Sequence, residues 1–106
     1  MTSPDSIVRA LGALAQPHRL AIFRVLVQSG PVGLAAGDIA SRLAITPSSL
    51  SFHLAQLERA HLVTRIRAGR SIIYSADFGA MNALVAYLTE NCCEGVACPA
   101  QAEEAA

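Results

Sequence analysis

The sequence predicts a mainly α, α+β fold of five helices and one β-hairpin, and three observations predict it. Apolar residues recur every three or four positions along most of the chain. The period shortens to two between Leu62 and Ser75. Proline behind serine or threonine marks where helices start, and Gly30-Pro31 marks a firm stop.

Pro4 opens the first helix behind Ser3 as N-cap, and Ile7, Leu11 and Leu14 lay an apolar stripe along it. Pro17 ends that helix and starts a second, which carries Leu20, Phe23, Leu26 and Val27 up to Gly30. Gly33 to Gly37 reads as a connection. A short helix follows from Asp38 to Leu43, with Ile39, Ala40 and Leu43 inward. Ala44-Ile45-Thr46 is a tight link, and Thr46-Pro47 begins a fourth helix that runs to about Ala60. Leu50, Leu54 and Leu57 form its inner face and leave Ser48, Ser49, Ser51, Phe52 and Gln56 on other faces. Leu62–Arg67 and Ser71–Ser75 alternate as strands around Ala68-Gly69. A last helix from about Asp77 to Asn91 carries Met81, Leu84, Val85 and Leu88.

With 106 residues and 53% apolar composition, the chain has material for one domain and one core. A core this small gains from a second chain, so a homodimer is expected through Leu11, Leu14, Leu84 and Leu88 of the first and last helices. Residues 1–91 form the predicted winged helix-turn-helix and dimerisation domain, and residues 92–106 are expected to be a cysteine-bearing sensor segment and flexible tail. No apolar run approaches the roughly 18 residues of a membrane span, and Met1–Asp5 lacks the pattern of a signal peptide, so the expectation is a cytoplasmic protein without a membrane partner.

The formal net charge is zero, yet its distribution is uneven. Residues 40–75 carry five arginines against Glu58, and residues 76–106 carry five carboxylates and no base. A basic middle suits an anionic partner. Two helices joined by a three-residue link and followed by a hairpin make a winged helix-turn-helix, whose second helix enters the DNA major groove. Short polar side chains on that helix let it approach closely, which makes Ser48, Ser49 and Ser51 candidate contacts to bases and phosphates. Gln56 sits later and suits the DNA backbone. Arg65, Arg67 and Arg70 of the hairpin suit phosphates or the minor groove. His53 either reaches the DNA or braces the helix. Phe52 either meets a thymine methyl or fills a gap under the wing.

The run Leu14-Ala-Gln-Pro-His-Arg-Leu-Ala-Ile22 resembles the opening of the ArsR/SmtB regulators. Residues 39–63 resemble their helix-turn-helix, and Arg65–Tyr74 their wing, with an Arg-x-Gly-Arg turn at 67–70. The resemblance spans about Ile7 to Leu88. It implies a transcriptional repressor that binds a double-stranded operator as a dimer. His61 departs from the pattern, because the family usually has glycine there; histidine tolerates the left-handed backbone better than most side chains.

The three cysteines, Cys92, Cys93 and Cys98, are clustered and odd in number, which does not suit a disulfide framework. They read as soft-ion ligands, as redox thiols or as incidental. Gly95 lets the segment fold back so that three sulfurs can meet. Thiolates select soft ions, and As(III) and Sb(III) take three sulfurs in a pyramid. Zinc wants a fourth ligand, and His18, His53 and His61 lie on other elements. Against the ArsR/SmtB pattern, the short helix lacks Cys-x-Cys and the last helix lacks the zinc-site histidines. The resemblance therefore implies an As(III) effector held at the C-terminal cysteines, with no organic cofactor. A thiol-redox or other soft-metal sensor of the same fold is the alternative, and a metal-buffering protein a more distant one. An enzyme such as an arsenate reductase fits poorly, because the cysteines follow a helix C-terminus, where the dipole disfavours thiolate.

Overall fold

A computed structural model describes residues 3–95. The elements run α1 Pro4–Leu14, α2 Pro17–Ser29, β1 Leu34–Ala35, α3 Ala36–Leu43, α4 Pro47–Arg59, β2 Val63–Ala68, β3 Ser71–Ala76 and α5 Phe78–Thr89, with a 3-10 turn at Cys92–Gly95. The five expected helices and the hairpin are all present.

Local chemistry accounts for the starts. Ser3 and Ser6 form a reciprocal capping box at α1. The Gln16 side chain accepts the Arg19 N–H at 2.9 Å, and the Thr46 hydroxyl accepts the Ser49 N–H at 3.3 Å. Asp77 caps α5 by accepting the Ala80 N–H at 2.9 Å. Proline leads α1, α2 and α4, where its missing donor costs nothing.

The stretch read as a connection holds one element that the sequence did not reveal. Leu34 and Ala35 pair antiparallel with Tyr74 and Ile73, which makes a three-stranded sheet in the order β1-β3-β2. Two residues are too short to show a period. The residue before them is Gly33, whose φ of +75° is left-handed and whose missing Cβ would run into the Tyr74 carbonyl oxygen. The hairpin loop is Gly69-Arg70, one residue later than expected. Gly69 has φ +64°, as the first central residue of a II′ turn requires. The third helix also begins earlier than expected, at Ala36, directly from β1.

Ile22, Leu26, Ile39, Leu54, Leu57 and Leu62 are the largest fully buried side chains, so the core joins α2, α3 and α4 and is closed by β3 through Tyr74 and Ala76. The stripe on α5 divides. Leu84 is buried within the protomer at 7% exposure, whereas Val85 and Leu88 stay exposed. On α1, Val8 and Leu11 are exposed and Leu14 is half-buried. Among the described residues, no helix is long and apolar enough to cross a membrane.

Candidate nucleic-acid interface

The helix pair is set by α3, the link Ala44–Thr46 and α4. Ala44 adopts a left-handed backbone with φ 53° and ψ 44°. The Ile45 N–H then reaches back to the Ala40 carbonyl at 3.1 Å, and Ile45 itself is buried. This is the bond pattern by which a helix is stopped and its carbonyls satisfied. It swings the chain so that Thr46 can cap α4. Ser48 and Ser51 face solvent, and Ser49 and Gln56 are half-buried. Phe52 is 58% exposed, so it fills no gap under the wing.

His53 is buried, at 7% exposure. The Arg19 guanidinium donates from Nε to the Ala13 carbonyl at 2.7 Å and from an NH group toward His53 Nδ1 at 3.4 Å. Arginine has no acceptor, so Nδ1 must be unprotonated for this bond. The His18 ring lies 5.3 Å from that of His53 and tilted to it, and the Phe52 ring meets it edge-on at 5.5 Å. Burial first, then the charges of Arg19 and His18, push the His53 pKa below its usual 6.5. His53 is thus a neutral brace between α2 and α4.

The wing presents Arg65, Arg67 and Arg70, all exposed. Arg65 and Arg67 share one face of β2 by the two-residue period. Arg67 Nε donates to the Gly69 carbonyl at 3.3 Å, a neutral partner that steers the side chain without cancelling its charge. Arg65 Nε lies 3.3 Å from the Glu58 carboxylate on α4. A hydrogen bond to the Tyr74 side chain and then the Glu58 charge push its already high pKa further up. Arg19, Glu58 and Tyr74 are participants that sequence reasoning missed. Each works through a partner far along the chain or on another element, and no local pattern marks such pairs.

Beyond Ala60 the chain turns at His61, which takes φ 61°. The Leu62 N–H bonds to the Leu57 carbonyl at 3.0 Å, and the Asp77 N–H bonds to the Leu62 carbonyl at 2.8 Å. The end of α4, the recognition helix of the pair, and the start of α5 are therefore tied together. At the other end of α5, Cys92 and Cys93 place their sulfurs 3.8 Å apart. Asn91, Cys93 and Glu94 all have positive φ between 51° and 57°. Cys92 is disulfide-bonded, and Cys93 is exposed. The expected third ligand, Cys98, lies outside the described residues. Among the described residues, no three His, Cys, Asp or Glu side chains are grouped to hold a metal ion.

A helix pair backed by a basic hairpin defines a winged helix-turn-helix DNA-binding protein. A helix-turn-helix domain model matches residues 14–66, half of the chain. The HTH-type transcriptional regulator YgaV of Escherichia coli strain K12 is 32% identical over 91 residues, covering 86% of this chain and 90% of that one. An ArsR-like transcriptional regulator from Rhodococcus sp. RHA1 superposes with a TM-score of 0.73 at 26% identity, over 85% of this chain and 82% of that one. The homodimeric winged helix-turn-helix DNA-binding domain of Mb0332 from Mycobacterium bovis superposes at 0.65 with 26% identity, over 87% and 85%. The chain belongs to the ArsR/SmtB-type winged helix-turn-helix transcriptional regulators. These proteins are regulators and not enzymes.

Proposed function

We propose that this regulator is a homodimeric repressor that leaves its operator when As(III), or Sb(III), is bound by Cys92, Cys93 and Cys98. The observation that carries the reading is the pair of sulfurs 3.8 Å apart at the end of α5. Once the Cys92 disulfide is reduced, two soft donors at that separation can share one soft ion, and Cys98 is near enough in sequence to be the third. The other end of α5 is bonded to Leu62 at the root of the recognition helix. Twelve helical residues span about 18 Å, so one rigid element joins the ion to the reading head.

The exposed Val8, Leu11, Val85 and Leu88 supply an apolar face for a second copy, with Leu14 at its edge and Leu84 packed beneath it. The homodimeric state of the Mycobacterium bovis domain supports a dimer here. Two copies set the spacing of two α4 helices against two half-sites. Ser48, Ser49, Ser51 and Phe52 face the bases, and Gln56, Arg67 and Arg70 the backbone or minor groove. The ion need only favour the released state; couplings of about 1–3 kcal/mol are typical of such switches. One observation favours a second reading, a thiol-redox sensor of the same fold: Cys92 is disulfide-bonded.

A gel-shift titration on the DNA upstream of the gene separates the two, run with arsenite, antimonite, zinc, cadmium or peroxide. Arsenite under reducing conditions should release the wild type, and Cys92→Ser, Cys93→Ser and Cys98→Ser should keep DNA binding while losing that response. Release by peroxide alone would favour the redox reading. Release of the triple serine variant by arsenite would eliminate both.

A further inference from the structure

Arg65, Arg67 and Arg70 form one basic group in the sequence, but their partners divide them. Arg65 faces the Glu58 carboxylate at 3.3 Å, on the last turn of α4. It sits opposite Tyr74 across the β2–β3 ladder, and Tyr74 is itself buried against the core. The path from Glu58 to Arg65 passes through the left-handed turn at His61. One side chain therefore closes the loop between the recognition helix and the wing, with a foot on each. An approaching phosphate would meet a neutralised pair at this point. Arg67 is two residues away on the same face and bonds only a carbonyl, so it keeps a charge to offer.

We infer that Arg65 is a positioning residue, a strut to Glu58 that fixes the angle of the wing to α4, and that the wing's phosphate contacts are left to Arg67 and Arg70. This rests on the reading that α4 and the wing meet DNA. It leads to a sign that the alternative reverses. If Arg65 held a phosphate, Glu58 would compete for it and repel the duplex, and its removal would tighten binding. If Arg65 is a strut, loss of Glu58 loosens the wing and weakens binding.

The test is anisotropy titration of the full chain against the duplex it selects from a random pool, at several salt concentrations, with folding checked by thermal melts. Arg65→Ala and Glu58→Gln should each weaken binding by up to about fivefold, the range an exposed ion pair supports. The double variant should be no worse than either single one. The slope of log affinity against log salt should stay at its wild-type value in all three. Arg67→Ala and Arg70→Ala should each flatten that slope by about 0.9. Tighter binding by Glu58→Gln, or a flatter slope for Arg65→Ala, would overturn the assignment. A slope unchanged in Arg67→Ala and Arg70→Ala would count against the DNA reading of the wing, while the sign of Glu58→Gln would still decide the strut.

Discussion

The turn at the root of the recognition helix and the turn after α5 use the same unfavourable backbone in opposite settings. His61 is left-handed beside Leu62, which is 1% exposed, and the turn is closed by the bond from Leu62 to Leu57. Asn91, Cys93 and Glu94 are also left-handed, yet every residue from Val85 to Gly95 is exposed. The bond from the Glu94 N–H to the Asn91 carbonyl at 2.9 Å spans that turn. A non-glycine residue in this region costs roughly 1 kcal/mol. At His61 the burial of the next residue offsets that cost. After α5 no burial does, and there Cys92 is disulfide-bonded. The first turn is anchored by a buried neighbour, and the second lies wholly at the surface.

The largest expected effect belongs to Leu62, the buried neighbour of His61. Leu62→Ala should cost about 3 kcal/mol in urea unfolding, since it opens a void under the turn and leaves His61 strained without support. A loss under about 1 kcal/mol would mean that the anchor is elsewhere. His61→Gly should go the other way and raise stability by about 0.5–1 kcal/mol, because glycine takes this backbone without a Cβ penalty. Lowered stability would show that the imidazole makes a contact worth more than the strain.

A pH series sharpens the contrast on the reading-head side. The His53 pKa is depressed in the folded protein, so the unfolded chain takes up the proton first. The brace therefore contributes fully above about pH 6.5, and its contribution falls as pH drops from there toward the lower folded value. His53→Gln should flatten the stability profile in that window; an unchanged profile would assign the pH response to another group. The smallest effect belongs to the other turn. Cys93→Ser should change the melting free energy by less than about 0.5 kcal/mol, as exposed substitutions do. A larger loss would mean that the turn is structural.

Much of this molecule could be read without coordinates. The helix starts at Ser3-Pro4 and Thr46-Pro47, the inner face Leu50, Leu54 and Leu57, and the alternating strands all obey rules acting over a few residues. So did the tolerance of His61 for a left-handed backbone. The split among Leu84, Val85 and Leu88 was less legible, because an apolar stripe of about two turns does not say which part its own protomer covers. His53 could be placed on the right helix, but its partner Arg19 lies 34 residues away. Arg65 and Arg67 are alike in the sequence, and only Glu58, across the turn, separates them.

The sequence by itself determined the elements, their order and the grouping of cysteines behind the last helix, since periodicity, caps and spacing are local properties. Only the tertiary structure decided that Leu34-Ala35 is a strand, that His53 is a buried brace, and that one wing arginine is neutralised while its neighbour is not. Those outcomes depend on which distant groups the folded backbone brings within bonding distance.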